Sequence, residues 1–358
     1  MRWDIFCRVI DNYGDAGVCW RLAADLDRRG EEVTLYIDEP DLLAWLIDPD
    51  ATPIGVQIKS WPEDCAHFEA TNIADVVIEA FACDPPAAYI GAMAERAMLG
   101  KPPAWINLEY LSAEDWVGSH HRLPSPHPRY PLIKHFYFPG FTPDSGGLLR
   151  EPGTIVTKQD RQDVLTSLSR ARPLRIFLFS YEQPALQSWL HALTDTTLSV
   201  APCPGSQQII AGPSDLPATL AIQLLPFVPQ SAFDAVLRAH DMLFVRGEDS
   251  FVRAQLAGKP LVWHIYPQAA GAHLEKLHAF YARYLDPAIL TADDRNRFMR
   301  FIDAWNGQGD PLDCAALWPG IARMLPVLQK NALAWREMLL KQPDLVTQLR
   351  AFVADLVK

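Results

Sequence analysis

Short apolar runs alternate with amphipathic stretches along nearly the whole chain, and few folds accept that pattern. In the first half the runs are DIFCRVI, EVTLYID, ADVVIEAF and PAWINLEYL. Between them, RLAADLDRRG and PPAAYIGAMAERAMLG carry apolar residues at helical spacing, and each closes on a glycine suited to a helix C-cap. The runs read as buried parallel strands, so the alternation predicts a doubly wound α/β domain. It restarts at PLRIFLFSY (173–181), with a helix expected around 183–194. TTLSVAPC, TLAIQLLPF, a helix about 231–239, DMLFVRG, a helix about 250–257 and KPLVWHIY complete a second α/β series, and a helical tail follows from about 320. At 358 residues the chain is long for one core, which fits two domains. The expected division is 1–165 and 170–338, with a C-terminal helix of about 340–358 completing the first domain. The stretch from about 112 to 160, rich in proline, histidine and aromatics, is expected to be a long ordered loop.

Charge narrows the partners. A net charge of −11 disfavours nucleic acid and suits a cationic acceptor. The six cysteines, Cys7, Cys19, Cys65, Cys83, Cys203 and Cys314, form no C-x-x-C pair and read as reduced apolar fillers. The chain enters a strand without a basic and then apolar leader. No apolar run reaches the roughly 18 residues of a bilayer span, so a soluble cytoplasmic protein without a membrane partner is expected. His120, His121, His127 and His135 lack zinc spacing, and Asp48-Pro49-Asp50 reads as solvated loop acids. No metal site is expected.

Four constellations can carry chemistry. In DNYGDAG (11–17) a strand gives way to a glycine-bearing turn and a helix, the frame of a phosphate cradle. Asp11 and Asp15 would repel a phosphate there, and neither G-x-G-x-x-G nor G-K-[ST] is present. The turn therefore reads as a general base or cation clamp; helix capping by Asp15, with Asp11 as turn former, is the purely structural alternative. The second constellation is RGEDS (246–250), where Arg246 supplies a fork for diphosphate and Gly247 lets backbone approach a ligand. Asp249 and Ser250 suit a helix start, while Glu248 is assigned to a sugar hydroxyl or the reacting centre. An ordinary capped helix is the alternative. Third, Phe227, Gln230 and Phe233 could receive a planar base, although Phe233 also has core spacing. Fourth, Ser180 and Tyr181 end the first strand of the second series, where a ligand contact and a plain strand-end tyrosine are equally open.

Taken together, IDNYGDAGVCWRLA, PF-x-x-Q-x-x-FD and RGEDSFVRAQLAGKPLVWHIYPQ resemble, in order, the elongation factor P (EF-P) arginine rhamnosyltransferase family, EarP. The resemblance spans nearly the whole chain. It implies a GT-B architecture of two Rossmann-like domains facing across a cleft. It also implies an inverting, metal-independent transfer of L-rhamnose from dTDP-β-L-rhamnose to one arginine of EF-P, the step that readies EF-P to rescue polyproline-stalled ribosomes. No cofactor beyond the donor is implied. By motif position Asp11 and Asp15 correspond to the family's catalytic aspartates, with Asp15 the favoured base. Phe227, Gln230, Phe233, Glu248, Asp249, Ser250 and Tyr266 match its nucleotide pocket, and Tyr181 is joined to them less firmly. A transferase using another nucleotide-sugar or a small acceptor is the alternative enzyme. A non-catalytic module gripping a partner through the proline-rich stretch is the alternative from another class.

Overall fold

The computed structural model describes residues 1–11, 13–47, 55–61, 67–151, 172–212, 215–268 and 271–357. Asp48-Pro49-Asp50, Cys65 and the domain boundary placed between 165 and 170 lie outside them. The chain divides into one unit of Met1–Glu151 with Gln342–Lys358, and a second of Pro152–Lys341.

The first strand shows why the first unit takes its form. Along β1 (Arg2–Cys7), Trp3, Ile5 and Cys7 enter one apolar cluster while Phe6 enters another, so both faces of the strand are covered. Asp4 lies between them and is buried, with Tyr89 Oη donating to it at 2.6 Å. Further strands are β2 (Glu32–Ile37), β3 (Gln57–Ser60), β4 (Val76–Ala80), β5 (Ala104–Leu108), β6 (Pro124–Pro126) and β7 (Ile133–Tyr137). Their order is β3-β2-β1-β4-β5-β7-β6, parallel except for β6 against β7. The order reverses between β1 and β4, the switch point at which open α/β sheets bind ligands.

The proline-rich stretch corrects the sequence expectation. It is not one long loop: it contains a short helix, Val117–His120, and two sheet strands. β7 pairs with β5, and β6 closes the edge, where Pro124 and Pro126 remove no ladder bond from a central strand. The prolines concealed an edge hairpin.

The helix Leu345–Leu356 also belongs to the first unit. Asp344 caps it by accepting from Thr347 N at 2.8 Å, and Arg29 pairs with the same carboxylate at 2.8 Å. Arg350 pairs with Glu31 at 2.8 Å. These bonds seat Leu345, Val346, Leu349 and Val353 in the core beside Leu22 and Leu26. Full burial of each such side chain contributes about 1.5–3 kcal/mol.

The second unit is a parallel sheet of β8 (Leu174–Leu178), β9 (Thr196–Val200), β10 (Leu220–Leu224), β11 (Met242–Arg246) and β12 (Leu261–His264), ordered β10-β9-β8-β11-β12. Here the order reverses between β8 and β11. The helices at 230–239 and 249–257 each start one residue before the sequence reading. The helix expected over 183–194 is only Leu186–Ala192, because Gln183 turns its side chain back to accept from Ala185 N at 3.0 Å. The tail helix begins earlier, at Asp313, and runs to Lys341 through Pro319 and Pro326. Burial of Trp318, Ile321, Leu325 and Leu328 carries it past prolines that would end an exposed helix. No helix among the described residues is long and apolar enough to cross a membrane.

Candidate active site

At the switch point of the first unit, β1 runs into the turn that carries Asp11 and Asp15. The helix begins at Tyr13, so Asp15 stands in its first turn. Its carboxylate is 3% exposed. Oδ2 accepts from the backbone N–H of both Ile10, at 2.8 Å, and Asp11, at 2.9 Å. Asp15 thus fastens the chain leaving β1 ahead of its own helix. The half-buried Asp11 carboxylate lies against Gly14: a Cβ there would stand 3.0 Å from Asp11 Oδ2. Gly14 is needed for the room it leaves that oxygen.

The neighbouring strand end carries a feature that sequence reading missed. After β4, Phe81, Ala82 and Asp84 take φ values of 58°, 54° and 49°. Left-handed backbone at a non-glycine residue costs on the order of 1–3 kcal/mol. The loop is held by Phe81 N donating to Leu108 O at 2.7 Å, Ala82 N to Asn107 Oδ1 at 3.1 Å, and the Cys83 thiol to Phe6 O at 3.2 Å. Phe81 also stacks on Tyr110 at 4.3 Å between ring centroids. Of F-A-C-D only Asp84 is a residue type that tolerates this conformation; Phe81 and Ala82 give no sequence signal for it.

In the second unit the ends of β8, β11 and β12 converge. Arg246 is in register with His264 on β12. Its guanidinium lies 4.7 Å from the Phe179 ring and 4.6 Å from the Tyr181 ring. Tyr181 meets His264 edge-on at 5.3 Å and Tyr266 at 5.5 Å. Burial, reinforced by the Arg246 charge, pushes His264 down to about 3, so its imidazole is neutral. Tyr181 is therefore one side of an aromatic cradle around Arg246, and Phe179 and His264 are parts of it that the sequence did not disclose.

The R-G-E-D-S turn is tightly fastened. Gly247 takes φ 65° and its carbonyl accepts from Trp263 Nε1 at 2.9 Å. Ser250 Oγ donates back to the Arg246 carbonyl. Lys276 Nζ reaches Glu248 Oε1 at 2.6 Å. Asp249 accepts from Arg253 Nε at 3.3 Å, and Arg253 also pairs with Asp234 at 2.7 Å. The helix starts at Asp249, followed by Ser250, as read from the sequence; the N-cap position falls to Glu248, which makes no side-chain cap bond. Two acids that sit awkwardly beside a phosphate are each matched to a cation. Asp249–Arg253 is an i,i+4 pair readable from sequence; Glu248–Lys276 is not.

Gln230, first residue of its helix, donates from Nε2 to Asp249 Oδ2 at 3.4 Å, and its Oε1 is buried without a protein partner. Phe227 is 38% exposed and Tyr266 45%. Phe233, half-buried, packs its ring 5.7 Å from Phe177 and 6.3 Å from Phe179, which makes it a support for the cradle. Tyr181, Gln230, Phe233, Arg246, Glu248, Asp249, Ser250 and Tyr266 thus gather around the ends of β8, β11 and β12, and Phe227 precedes the Gln230 helix. Among the described residues no group of three or more His, Cys, Asp or Glu could hold a metal ion.

Comparison with known proteins places this arrangement. The model of the family described as Elongation-Factor P (EF-P) rhamnosyltransferase EarP matches residues 3–354. The chain is 43% identical to a protein-arginine rhamnosyltransferase of Pseudomonas aeruginosa over 386 residues, covering 99% of each chain. It is 41% identical to that of Pseudomonas putida, covering 98% of each. A solved structure described as the structural basis for EarP-mediated arginine glycosylation of translation elongation factor EF-P matches with TM-score 0.63 and 30% identity over 99% of both chains. The spinosyn rhamnosyltransferase SpnG (TM-score 0.55, 12% identity) covers 99% of this chain and 100% of its own. MurG of Acinetobacter baumannii (0.53, 16%) covers the same shares. These two distant likenesses speak to the fold, two parallel α/β sheets of the GT-B glycosyltransferase kind. The chain belongs to the EF-P rhamnosyltransferase family, EarP.

Proposed function

We propose that this protein transfers L-rhamnose from dTDP-β-L-rhamnose to one arginine side chain of EF-P, with inversion at the anomeric carbon. The observation that carries the reading is the end-to-end match to protein-arginine rhamnosyltransferases. The chemistry of the two strand-end sites supports it. A guanidinium stays protonated in water, with a pKa above roughly 12, and is a poor nucleophile. Carboxylates must orient it and take a proton as the new bond forms. In this reading Asp11 aligns the guanidinium. Asp15, whose Oδ2 is committed to Ile10 N and Asp11 N, receives the proton through its other oxygen. The arginine nitrogen attacks C1, the C1–O bond breaks, and dTDP leaves with the electron pair. No covalent enzyme intermediate is needed. Arg246 and the N-terminus of the helix Asp249–Ala257 supply positive potential for the departing diphosphate.

The geometry around Gln230 favours a thymine-type base. With Nε2 given to Asp249, Oε1 remains as an acceptor, which suits the N3–H of thymine or uracil and not the N3 lone pair of cytosine. The exposed Phe227 ring offers a stacking face.

The test is the intact mass of EF-P after incubation with this protein and dTDP-L-rhamnose. A gain of one deoxyhexose on one arginine is expected. No gain, or an equal gain with a UDP-sugar, overturns the reading.

A further inference from the structure

Glu248 stands two residues after Arg246, close to where the reading above places a diphosphate. A bare carboxylate there would repel the donor. The local geometry shows what its side chain does. Glu248 occupies the N-cap position of the helix Asp249–Ala257 but makes no side-chain cap bond. Its Oε1 instead takes Lys276 Nζ at 2.6 Å, with the two side chains 20% and 18% exposed. Lys276 comes from the second turn of the helix Ala272–Tyr284, remote in sequence. The backbone beneath is already pinned, since Trp263 holds the Gly247 carbonyl and Ser250 holds that of Arg246. Lys276 helps to fix the direction of the Glu248 side chain above that backbone. Asp249 is matched in the same way by Arg253 from its own helix.

We propose that Lys276 is a positioning residue for the donor site. It holds the Glu248 carboxylate in one direction and balances its charge, so that Glu248 can serve a donor hydroxyl while the Arg246 charge meets the diphosphate. Lys276 touches no reacting atom. The proposal rests on the nucleotide-sugar reading of this site, and it adds a residue to that site.

The test is a double-mutant cycle between Lys276 and Glu248, read by calorimetric titration with dTDP and by donor KM and kcat. Lys276→Met removes a cation that balances Glu248 and should weaken dTDP binding and raise donor KM about tenfold, with a smaller change in kcat. Lys276→Arg keeps the charge and should restore dTDP affinity to within about twofold of the parent. In a Glu248→Gln background no charge remains to be balanced, so adding Lys276→Met should change dTDP affinity by less than about twofold. Equal weakening in both backgrounds would mean that Lys276 binds phosphate directly or merely packs its helix, and would overturn the proposal. Full dTDP affinity in the single Lys276→Met variant would overturn it too. Thermal melting of the parent and the four variants separates misfolding from a binding effect. A parent protein that binds no dTDP would instead refute the donor reading itself.

Discussion

Both units place acidic residues at the switch point of a parallel sheet, yet they fasten them in opposite ways. In the first, Asp15 is held by two backbone N–H groups, which carry no net charge. In the second, Glu248 and Asp249 are held by Lys276 and Arg253, which do. Backbone N–H groups fix a carboxylate's direction and favour its charged form. Cationic fastening cancels the charge and makes room for an incoming anion. In the proposed function the first arrangement would meet a guanidinium and the second a diphosphate.

The largest expected effect comes from removing the charge in the first unit. Asp15→Asn keeps an oxygen that can accept from Ile10 N and Asp11 N, so the turn should survive. Rhamnosyl transfer should fall by about 10²–10⁴, the usual contribution of a general base, while dTDP affinity measured by titration stays within about twofold. Comparable loss of dTDP binding would break the contrast, because it would give the first unit a share in holding the anion. A milder change is Gly14→Ala, whose Cβ would press on Asp11 Oδ2 and turn that carboxylate. We expect kcat to drop about tenfold through misplacement of the aligning group, with dTDP binding untouched. Unchanged kcat would remove Asp11 from the aligning role.

The smallest effect concerns stability. His264, held at about 3 when folded and titrating at its ordinary value when unfolded, binds fewer protons in the native state. Its contribution is fully present above about pH 6.5 and is lost progressively as pH falls toward 3, at no more than about 1.4 kcal/mol per pH unit. Urea unfolding between pH 7 and pH 4.5 should therefore show a decline that is shallower in His264→Asn. An identical slope in the variant would mean that other groups set the acid sensitivity of the second unit.

The fold class was legible because unbroken apolar runs between helical stretches admit little besides covered parallel sheets. The hairpin of β6 and β7 was not, since its prolines read as loop until the edge position is known. The carboxylates of D-N-Y-G-D stood out because acids are out of place at a strand–helix turn of this frame. The backbone bonds that hold Asp15 did not, as they depend on which oxygen meets which N–H group. Phe179, His264 and Lys276 left no local trace: each acts through a partner far away in sequence. Phe81 and Ala82 defied their own propensities, and the surrounding bonds hold them there.

The helix Leu345–Leu356 gives the chain an unusual order of completion during synthesis. The second unit ends at Lys341, whereas the first still lacks the residues that fill its core beside Leu22 and Leu26. A ribosome adding about 5–20 residues per second finishes the donor-side unit first, and the acid-bearing unit closes only when residues 342–358 emerge. Protein cut short near residue 341 would then keep the five-stranded sheet whole but leave Asp11 and Asp15 on a unit whose core lacks its last helix.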